Sequence, residues 1–385
     1  MCGIVAYLGN QKAYPILLKG LQRLEYRGYD SAGIALYDDG LVVYKKKGKV
    51  NDLIEHTADI PKVSTIGMGH TRWATHGEPN DINAHPHTSG NRRLSVVHNG
   101  IIENYGLLKE ALIKQGHTFE SDTDTEVLIH LIEEIQEQDQ LSIAEAVRIA
   151  LTRVVGAFAI VVMDRENPDQ LIAARKASPL VIGIGENEYF LASDSTPIVE
   201  YTNQVIYLND NEMATVTRDG YEIKTIDNEI QTPTIHQIDM KIERLEKGGY
   251  DSFMLKEIHE QPTTIADCMR GRMNQEEGFI RLRGIDECAN RMLRANRFVI
   301  AACGTSWHAG LIGEYLFEEL AKIPVEVEYA SELRYRKPLL SSNDVVIAIS
   351  QSGETADTLA ALEMAKEHGA LIYGIVNVVG SSIAR

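Results

Sequence analysis

The sequence has few cysteines and a shortage of positive charge. Its four cysteines show no paired spacing, which is typical of a reducing compartment in which thiols stay free. Its 38 basic residues against 55 acidic ones give a net charge of -17, and such a surface repels nucleic acid and anionic membranes. No segment approaches the roughly 18 apolar residues of a membrane span, and the first residues resemble no secretory signal. We therefore expect a cytoplasmic protein with no nucleic-acid or membrane partner.

The length and the pattern of apolar residues divide the chain into two domains. Residues 1–226 mix many short strands with grouped helices, which predicts an α+β fold. Residues 227–250 are polar and charged, and they are predicted to form a linker. Residues 251–385 alternate strands with helices, which predicts an α/β doubly wound parallel sheet. A parallel sheet of so few strands leaves an open edge, so we expect this second domain to be truncated.

The N-terminus carries the most informative residue, Cys2. Cysteine is small enough for the initiator Met1 to be removed, which leaves a free α-amine beside a thiol. An α-amine has a pKa of about 7.7–8.0, so it can act as a general base near neutral pH. Through a water molecule it could take the proton of the thiol, which would make Cys2 a nucleophile. The alternative is that Cys2 only opens a buried strand.

Four further segments accompany Cys2. They are Leu24–Gly33, Gly69–Gly77 directly after a strand, His98-Asn99-Gly100 ending a strand at a turn, and Ser121–Glu126 opening a helix. Together with Cys2 they resemble the glutamine-hydrolysing domain of the N-terminal-nucleophile amidotransferases. The resemblance covers residues 2 to about 224, and it implies an αββα sandwich whose substrate is glutamine.

The chemistry of glutamine hydrolysis explains why these residue types are needed. Attack of a thiolate on an amide creates an oxyanion, which neutral preorganised donors stabilise. The resemblance implies that Cys2 is the nucleophile and that Asn99 and Gly100 are these donors. It also implies that Arg72 binds the carboxylate of glutamine and Asp124 its ammonium group. The other implied glutamine-binding residues are Trp73, which gates the passage of ammonia in the family, Thr75 and His76.

Each of these residues also has a purely structural interpretation. An Asn-Gly pair is typical of hairpin turns. Asp122 or Asp124 could be a helix N-cap, and Arg72 could be the partner in a surface salt bridge. A cluster of histidines invites a metal site, but its spacing fits no standard ligand pattern, so we predict no metal and no organic cofactor. These histidines are His70, His76, His85, His87 and His98.

Two turns in residues 251–385 join a strand to a helix and are rich in hydroxyl groups and glycine. They are Cys303–Ser306 and Ser350–Thr355. Backbone N–H groups and hydroxyls at the start of a helix can hold a phosphate. Neither turn has the spacing of a dinucleotide-binding or Walker motif. Ordinary helix caps are the alternative.

Together the two turns resemble those of the sugar-isomerase domains, which bind phosphorylated sugars. The resemblance implies a sugar-phosphate site at Thr305, Ser306, Ser350, Gln351, Ser352 and Thr355. A glutaminase followed by such a domain implies a homodimeric full-length protein that passes ammonia to fructose 6-phosphate and so forms glucosamine 6-phosphate and glutamate. Family members continue into a second sugar-isomerase half with the isomerase catalytic residues, so this fragment is expected to act as a glutaminase only. A regulator that binds glutamine and sugar phosphate, or an amidotransferase of the phosphoribosyl type, are the alternatives.

Overall fold

The chain forms two compact units, Met1–Glu246 and Lys247–Arg385. The computed structural model describes residues 2–25, 28–59, 62–74, 76–238, 248–274, 278–280, 282–286, 288–378 and 381–385. Thr75, one of the residues predicted to bind glutamine, lies outside these ranges. Within them, every helix is too short or too polar to cross a membrane.

The first unit contains an antiparallel sheet of eight strands. Its strands are β1 Gly3–Leu8, β2 Ser31–Tyr37, β3 Leu41–Lys47, β4 Ile66–Arg72, β9 Val181–Ile184, β10 Tyr189–Ala192, β11 Gln204–Tyr207 and β14 His236–Gln237. Their order is β14-β11-β9-β10-β1-β4-β2-β3, so β1 lies in the interior of the sheet between β10 and β4. The register pairs Gly3 with Thr71, which brings the residue before β1 next to the residues that end β4.

A second antiparallel sheet of six strands packs against the first. Its strands are β5 His87–Thr88, β6 Leu94–Ile102, β7 Gly156–Asp164, β8 Asn167–Lys176, β12 Glu212–Thr217 and β13 Gly220–Thr225. Their order is β13-β12-β8-β7-β6-β5. Apolar side chains of both sheets, among them Ile4, Met68, Val97 and Val161, form one buried cluster between the sheets. Burying this surface is the main force that holds the two sheets together.

Helices cover the outer face of each sheet in the first unit. They are α1 Ala13–Leu24 and α2 Val50–His56 on the first sheet, and α3 Tyr105–Lys114, α4 Asp124–Asp139 and α5 Ile143–Thr152 on the second. Strand β1 is therefore covered on both faces: Ile4 and Ala6 face the second sheet, whereas Val5 and Tyr7 face the helices. This double burial explains why β1 is continuously apolar. The predicted αββα sandwich is confirmed.

The second unit contains a parallel sheet. Its elements are α6 Phe253–Met269, β15 Met273–Asn274, β16 Phe279–Ile280, α7 Arg283–Asp286, α8 Ala289–Leu293, β17 Arg297–Ala302, α9 Thr305–Leu316, β18 Val325–Tyr329, α10 Ala330–Leu333, β19 Asp344–Ser350, α11 Ala356–Glu367 and β20 Leu371–Val376. The parallel strands have the order β18-β17-β19-β20. Apolar clusters bury both faces of the sheet, as expected for a parallel sheet. The predicted doubly wound α/β fold is confirmed.

Two segments differ from the sequence-based expectation. Asn99 and Gly100 do not form a turn after a strand: they lie inside β6 and pair with Ala159 and Phe158 of β7. The prediction of a turn was wrong because pairing with β7 extends β6 beyond the Asn-Gly pair. The segment 227–250, predicted as a linker, contains β14, which pairs with β11 at the edge of the first sheet.

Candidate active site

Cys2 lies directly before β1, beside the residues that follow β4. Its Sγ atom accepts a hydrogen bond from the backbone N–H of Trp73 at 3.2 Å and lies 3.5 Å from the Trp73 carbonyl oxygen. The register of β1 against β4 creates this proximity, because Gly3 pairs with Thr71. The sulfur thus accepts from the N–H and, as a thiol, donates to the carbonyl oxygen of the same residue. These two contacts hold the sulfur beside the end of β4.

Asn99 approaches Cys2 from the opposite sheet. Its Nδ2 donates to the Cys2 carbonyl oxygen at 3.1 Å, and its Oδ1 accepts a hydrogen bond from His70 Nε2 at 2.9 Å. His70 Nε2 also lies 3.1 Å from the carbonyl oxygen of His98. Both of these partners are acceptors, so the Nε2 atom of His70 carries the hydrogen. These contacts fix the Asn99 amide with its NH₂ group toward Cys2.

His70 was not predicted as a site residue, although it lies in the Gly69–Gly77 motif. Its side chain is fully buried, and burial lowers its pKa to about 3. The ring is therefore neutral near pH 7 and acts as a hydrogen-bond donor without adding charge to the site. It positions Asn99, a role that requires contact between two sheets and that no spacing in the sequence reveals.

Gly100 occupies a position where the backbone permits only glycine. Its φ angle is 137°, and a Cβ atom at this position would lie 2.0 Å from the carbonyl oxygen of Ala157. Any side chain would either displace β7 or distort β6. The close approach of the two strands thus explains the glycine next to Asn99.

Arg72 ends β4 and is buried, with an exposed fraction of 4%. Its guanidinium donates to the carbonyl oxygens of His76, of Gly77 at 3.4 Å and of Glu78 at 3.4 Å. Burial lowers the pKa of Arg72, and the negative charges of Cys2, Asp30 and Asp124 oppose that shift. The interpretation as a surface salt-bridge residue is therefore wrong. Arg72 supplies a buried positive charge at the site.

Asp124 is the first residue of α4 and is buried. Its Oδ2 atom accepts a hydrogen bond from the Ile102 N–H at 2.8 Å, at the end of the strand that carries Asn99. The N-cap of α4 is Thr123, whose side chain accepts from the Glu126 N–H. The interpretation of Asp122 or Asp124 as the cap was therefore wrong. An N-cap directly precedes its helix, and α4 begins at Asp124, so the cap is the residue between these two aspartates. Asp124 is therefore held by β6.

The remaining predicted residues of this site surround Trp73. The Trp73 ring is 45% exposed and meets the edge of Tyr29 at 5.6 Å between ring centroids. The His76 ring contacts Tyr105 at 5.4 Å. Asp30 was not singled out from the sequence: its Oδ2 accepts from the Ala74 N–H at 2.8 Å, and its own N–H donates to the Arg72 carbonyl oxygen at 3.0 Å. Asp30 therefore fixes the backbone on both sides of Trp73.

Three further histidines of the predicted cluster lie in the interior near His70. The ring of His85 is 4.3 Å from the His70 ring and 4.8 Å from the His87 ring. His87 bonds the Thr123 hydroxyl at 3.0 Å, and His98 bonds the Thr125 hydroxyl at 2.9 Å. Burial lowers the pKa of His85, of His87 and of His98, so these rings are neutral. They join β5 and β6 to the start of α4.

The hydroxyl-rich turns of the second unit lie at the carboxyl edge of its sheet. They follow β17 and β19, which are neighbours in the sheet. From β17 the chain continues to β18 on one side, and from β19 it continues to β20 on the other side, so the two turns lie at a topological switch point. Thr358, in the first turn of α11, donates from its Oγ1 to Cys303 Sγ at 3.9 Å, which links the turn after β17 to the helix that follows β19. Thr305 and Ser306 open α9, and Thr355 precedes α11.

The turn after β19 is shaped by its own hydroxyl groups. Ser350 Oγ accepts from the Gly353 N–H at 3.0 Å, and Ser352 Oγ accepts from the Glu354 N–H at 3.2 Å. Gln351 is exposed, and Thr355 is partly exposed. Among the described residues, the Thr355 side chain caps no backbone N–H of α11. The Thr355 side chain therefore leaves the first N–H groups of α11 uncapped. An anion site at a helix start requires such uncapped N–H groups.

Each unit contains a region that matches a known domain family. Residues 55–261, more than half of the chain, match the glutamine amidotransferase domain, and residues 291–385 match the SIS domain. Glutamine–fructose-6-phosphate aminotransferases (isomerizing) from Bacteroides thetaiotaomicron and Chlorobaculum tepidum are 58% and 56% identical to the whole chain. The chain covers 63% of the length of each of these relatives.

A solved structure shares the fold. It is the glutamine phosphoribosylpyrophosphate amidotransferase from B. subtilis, with a TM-score of 0.54 and 21% identity over 98% of this chain and 81% of the other. At this identity the likeness concerns the fold alone. The domain match and the arrangement of Cys2, Asn99 and Asp124 in an αββα sandwich lead to one conclusion: the chain belongs to the glutamine amidotransferase family.

Proposed function

We propose that Cys2 hydrolyses glutamine to glutamate and ammonia. The observation that carries this proposal is the pair of hydrogen bonds made by the Asn99 amide, to the Cys2 carbonyl oxygen at 3.1 Å and from His70 at 2.9 Å. These bonds aim a neutral, preorganised donor at the nucleophile. Such a donor is what an oxyanion needs during acyl transfer.

The reaction begins when the α-amine, freed by removal of Met1, takes the proton of the Cys2 thiol through a water molecule. The thiolate attacks the side-chain amide carbon of glutamine and forms a tetrahedral oxyanion. One hydrogen of the Asn99 NH₂ group binds the Cys2 carbonyl oxygen, so its second hydrogen serves the oxyanion together with the Gly100 N–H. The protonated α-amine then protonates the leaving nitrogen, which gives ammonia and a thioester. Water hydrolyses the thioester to glutamate and restores the thiol.

The two charged ends of glutamine need partners of opposite charge, and two buried charged residues of the first unit can provide them. We assign its α-carboxylate to Arg72, whose guanidinium is oriented by the carbonyl oxygens of residues 76–78. We assign its α-ammonium group to Asp124. The other proposed contacts are Trp73, whose exposed ring would cover the site, Thr75 and His76.

In the full-length protein we propose that the ammonia reacts with fructose 6-phosphate to give glucosamine 6-phosphate. The support is the SIS domain match and the relatives that bear this activity in their names. The phosphate would bind at the switch point between β17 and β19, on Thr305, Ser306, Ser350, Gln351, Ser352 and Thr355. We further propose a homodimer, and a cytoplasmic location because all four cysteines are free thiols.

The experiment that tests the proposal blocks the α-amine while keeping the thiol. A chain extended at its N-terminus by a removable tag carries Cys2 with its nitrogen in a peptide bond, so the general base is lost. We expect glutamate release to fall at least about 100-fold, as for loss of a general base. Cleavage of the tag directly before Cys2 should restore the activity. Intact mass verifies that Cys2 is then the first residue.

A second measurement separates the enzyme from a regulator that only binds glutamine. A diazoketone analogue of glutamine should add one covalent adduct per chain, and this adduct should be absent in Cys2→Ala. Glutamine turnover by the tagged chain at the rate of the cleaved chain would contradict the mechanism. Binding of glutamine without any glutamate release by the cleaved chain would favour the regulator.

A further inference from the structure

We infer that His117, His130 and Glu133 form a binding site for a divalent transition-metal ion, with zinc as the best fit. His117 lies in the loop between α3 and α4, and the other two residues lie on α4. These residues are distinct from the histidines around Cys2. No residue of this group was singled out from the sequence, so the proposal revises the expectation that the protein contains no metal site.

The distances between the three donor atoms suit a tetrahedral ion. His117 Nδ1 and His130 Nδ1 are 3.0 Å apart, and Glu133 Oε2 lies 3.3 Å from His130 Nδ1 and 3.7 Å from His117 Nδ1. Zinc bonds of roughly 2.0–2.1 Å at tetrahedral angles place neighbouring donors about 3.4 Å apart. The three donors therefore form one face of a tetrahedron, and a fourth position remains for water or a ligand.

The outer nitrogens of both rings face carboxylates. His117 Nε2 is 2.8 Å from Glu134 Oε2, and His130 Nε2 is 3.8 Å from Glu126 Oε1. The Glu134 carboxylate lies at hydrogen-bonding distance and favours hydrogen on Nε2 of His117, as in most metal-binding histidines, whereas Glu126 lies beyond that distance from His130. The two Nδ1 atoms lie together with the Glu133 carboxylate. A hydrogen on one Nδ1 would satisfy only the pair of rings, whereas a metal ion would bind all three donors at once.

The ligands are held in place by the surrounding backbone. The N–H groups of Gly90 and Asn91, in the turn before β6, each donate to the Glu133 carboxylate at 3.0 Å. A cavity of about 410 Å³, lined in part by Thr118, Glu126 and His130, reaches one of the three ligands. Two imidazoles and one carboxylate suit zinc and its neighbours in the transition series better than magnesium or calcium. The site would fasten the α3–α4 loop to α4.

The test is a titration of the chelator-treated chain with Co²⁺ and Zn²⁺. We expect one equivalent of Co²⁺ to produce the visible absorption of a tetrahedral site, and Zn²⁺ to displace it. His117→Ala should weaken binding more than about 100-fold, and Glu134→Gln, which keeps all three ligands, about 10–100-fold. Cys2→Ala and His236→Ala serve as controls, because each removes another side chain of the same unit that could bind a metal. Both variants should bind Co²⁺ as tightly as the unaltered chain does.

Thermal melting provides an independent measurement. Excess Zn²⁺ should raise the Tm of the unaltered chain and of His236→Ala, because a ligand that binds only the folded state stabilises it, but not the Tm of His117→Ala. Co²⁺ binding that persists in both His117→Ala and Glu134→Gln would overturn the proposal. Loss of Co²⁺ binding in Cys2→Ala would also overturn the proposal, since it would place the ion at the nucleophile. Absence of Co²⁺ binding by the unaltered chain would overturn it as well.

Discussion

The two candidate sites of this chain are built in opposite ways. Around Cys2, the functional groups lie on strands of two facing sheets and are held by buried hydrogen bonds between residues far apart in the sequence, such as Cys2 and Asn99. In the second unit, the hydroxyl groups of Ser350 and Ser352 bond to the backbone of their own turn, at Gly353 and Glu354. The first site depends on how the sheets pack, whereas the second depends mostly on local conformation.

The difference suits the chemistry that we propose for each site. Stabilisation of an oxyanion requires donors that are fixed before the reaction, because reorganisation during the reaction would cost rate. Binding a phosphate requires only exposed N–H groups and hydroxyls at the start of a helix. Remote substitutions should therefore damage the first site more than the second.

The largest expected contrast is between two glycines with positive φ. Gly100→Ala should destabilise the first unit by roughly 2–6 kcal/mol, since the backbone strain and the contact with Ala157 each cost about 1–3. Gly304→Ala should cost only the strain of about 1–3 kcal/mol, because in the described part of the chain no atom lies within 4 Å of its Cβ position. Urea denaturation measures the free energy of unfolding of both variants. Equal losses would show that strand packing is not what requires glycine at position 100.

The next effect concerns the pair Asn99 and His70. Asn99→Ala should lower kcat for glutamine by about 10²–10³, because an oxyanion donor is lost. His70→Gln should lower kcat about tenfold through loss of one hydrogen bond to Asn99. If His70 acts through Asn99, the double variant should be no slower than Asn99→Ala alone. Multiplicative losses would show that His70 has an independent role.

Acid should weaken the first unit selectively. Burial lowers the pKa of His70 to about 3, below the value of about 6.5 in the unfolded chain, so unfolding takes up a proton between these pH values. Stability is then full above pH 6.5 and falls with decreasing pH by up to about 1.4 kcal/mol per unit for this one histidine. The strands of the parallel sheet in the second unit contain no histidine. Urea denaturation between pH 7 and 5 should show a smaller slope for His70→Gln, and an unchanged slope would contradict the argument.

The smallest contrast is between two N-cap threonines. Thr123→Ala should cost about 1–2 kcal/mol, because its side chain accepts from the Glu126 N–H and bonds His87. Thr355→Ala should change the free energy of unfolding by less than about 0.5 kcal/mol, since Thr355 makes no such cap. It should nevertheless weaken binding of fructose 6-phosphate, measured by calorimetry on the full-length protein. A large loss of stability in Thr355→Ala would indicate a structural role.

Local pattern was enough to predict the mixture of short strands and grouped helices in residues 1–226 and the alternation of strands and helices in residues 251–385. The reason is that apolar periodicity and flanking turns are read from neighbouring residues. Strand β14 was not predicted, since its two residues carry too little periodicity and pair with β11. Asn99-Gly100 was placed in a turn because the pairing with β7, which extends β6, is not visible in the local pattern.

The sequence by itself determined the class of chemistry: an N-terminal cysteine, an Asn-Gly pair, an arginine and an aspartate in the order of an amidotransferase. Only the tertiary structure decided that Asn99 bonds Cys2 across 97 positions of sequence and that His70 orients it. It likewise brought His117 to His130 and Glu133. The physical reason is that periodicity and residue type are local properties, whereas the distance between atoms on different strands is set by sheet register and by the packing of side chains between the sheets.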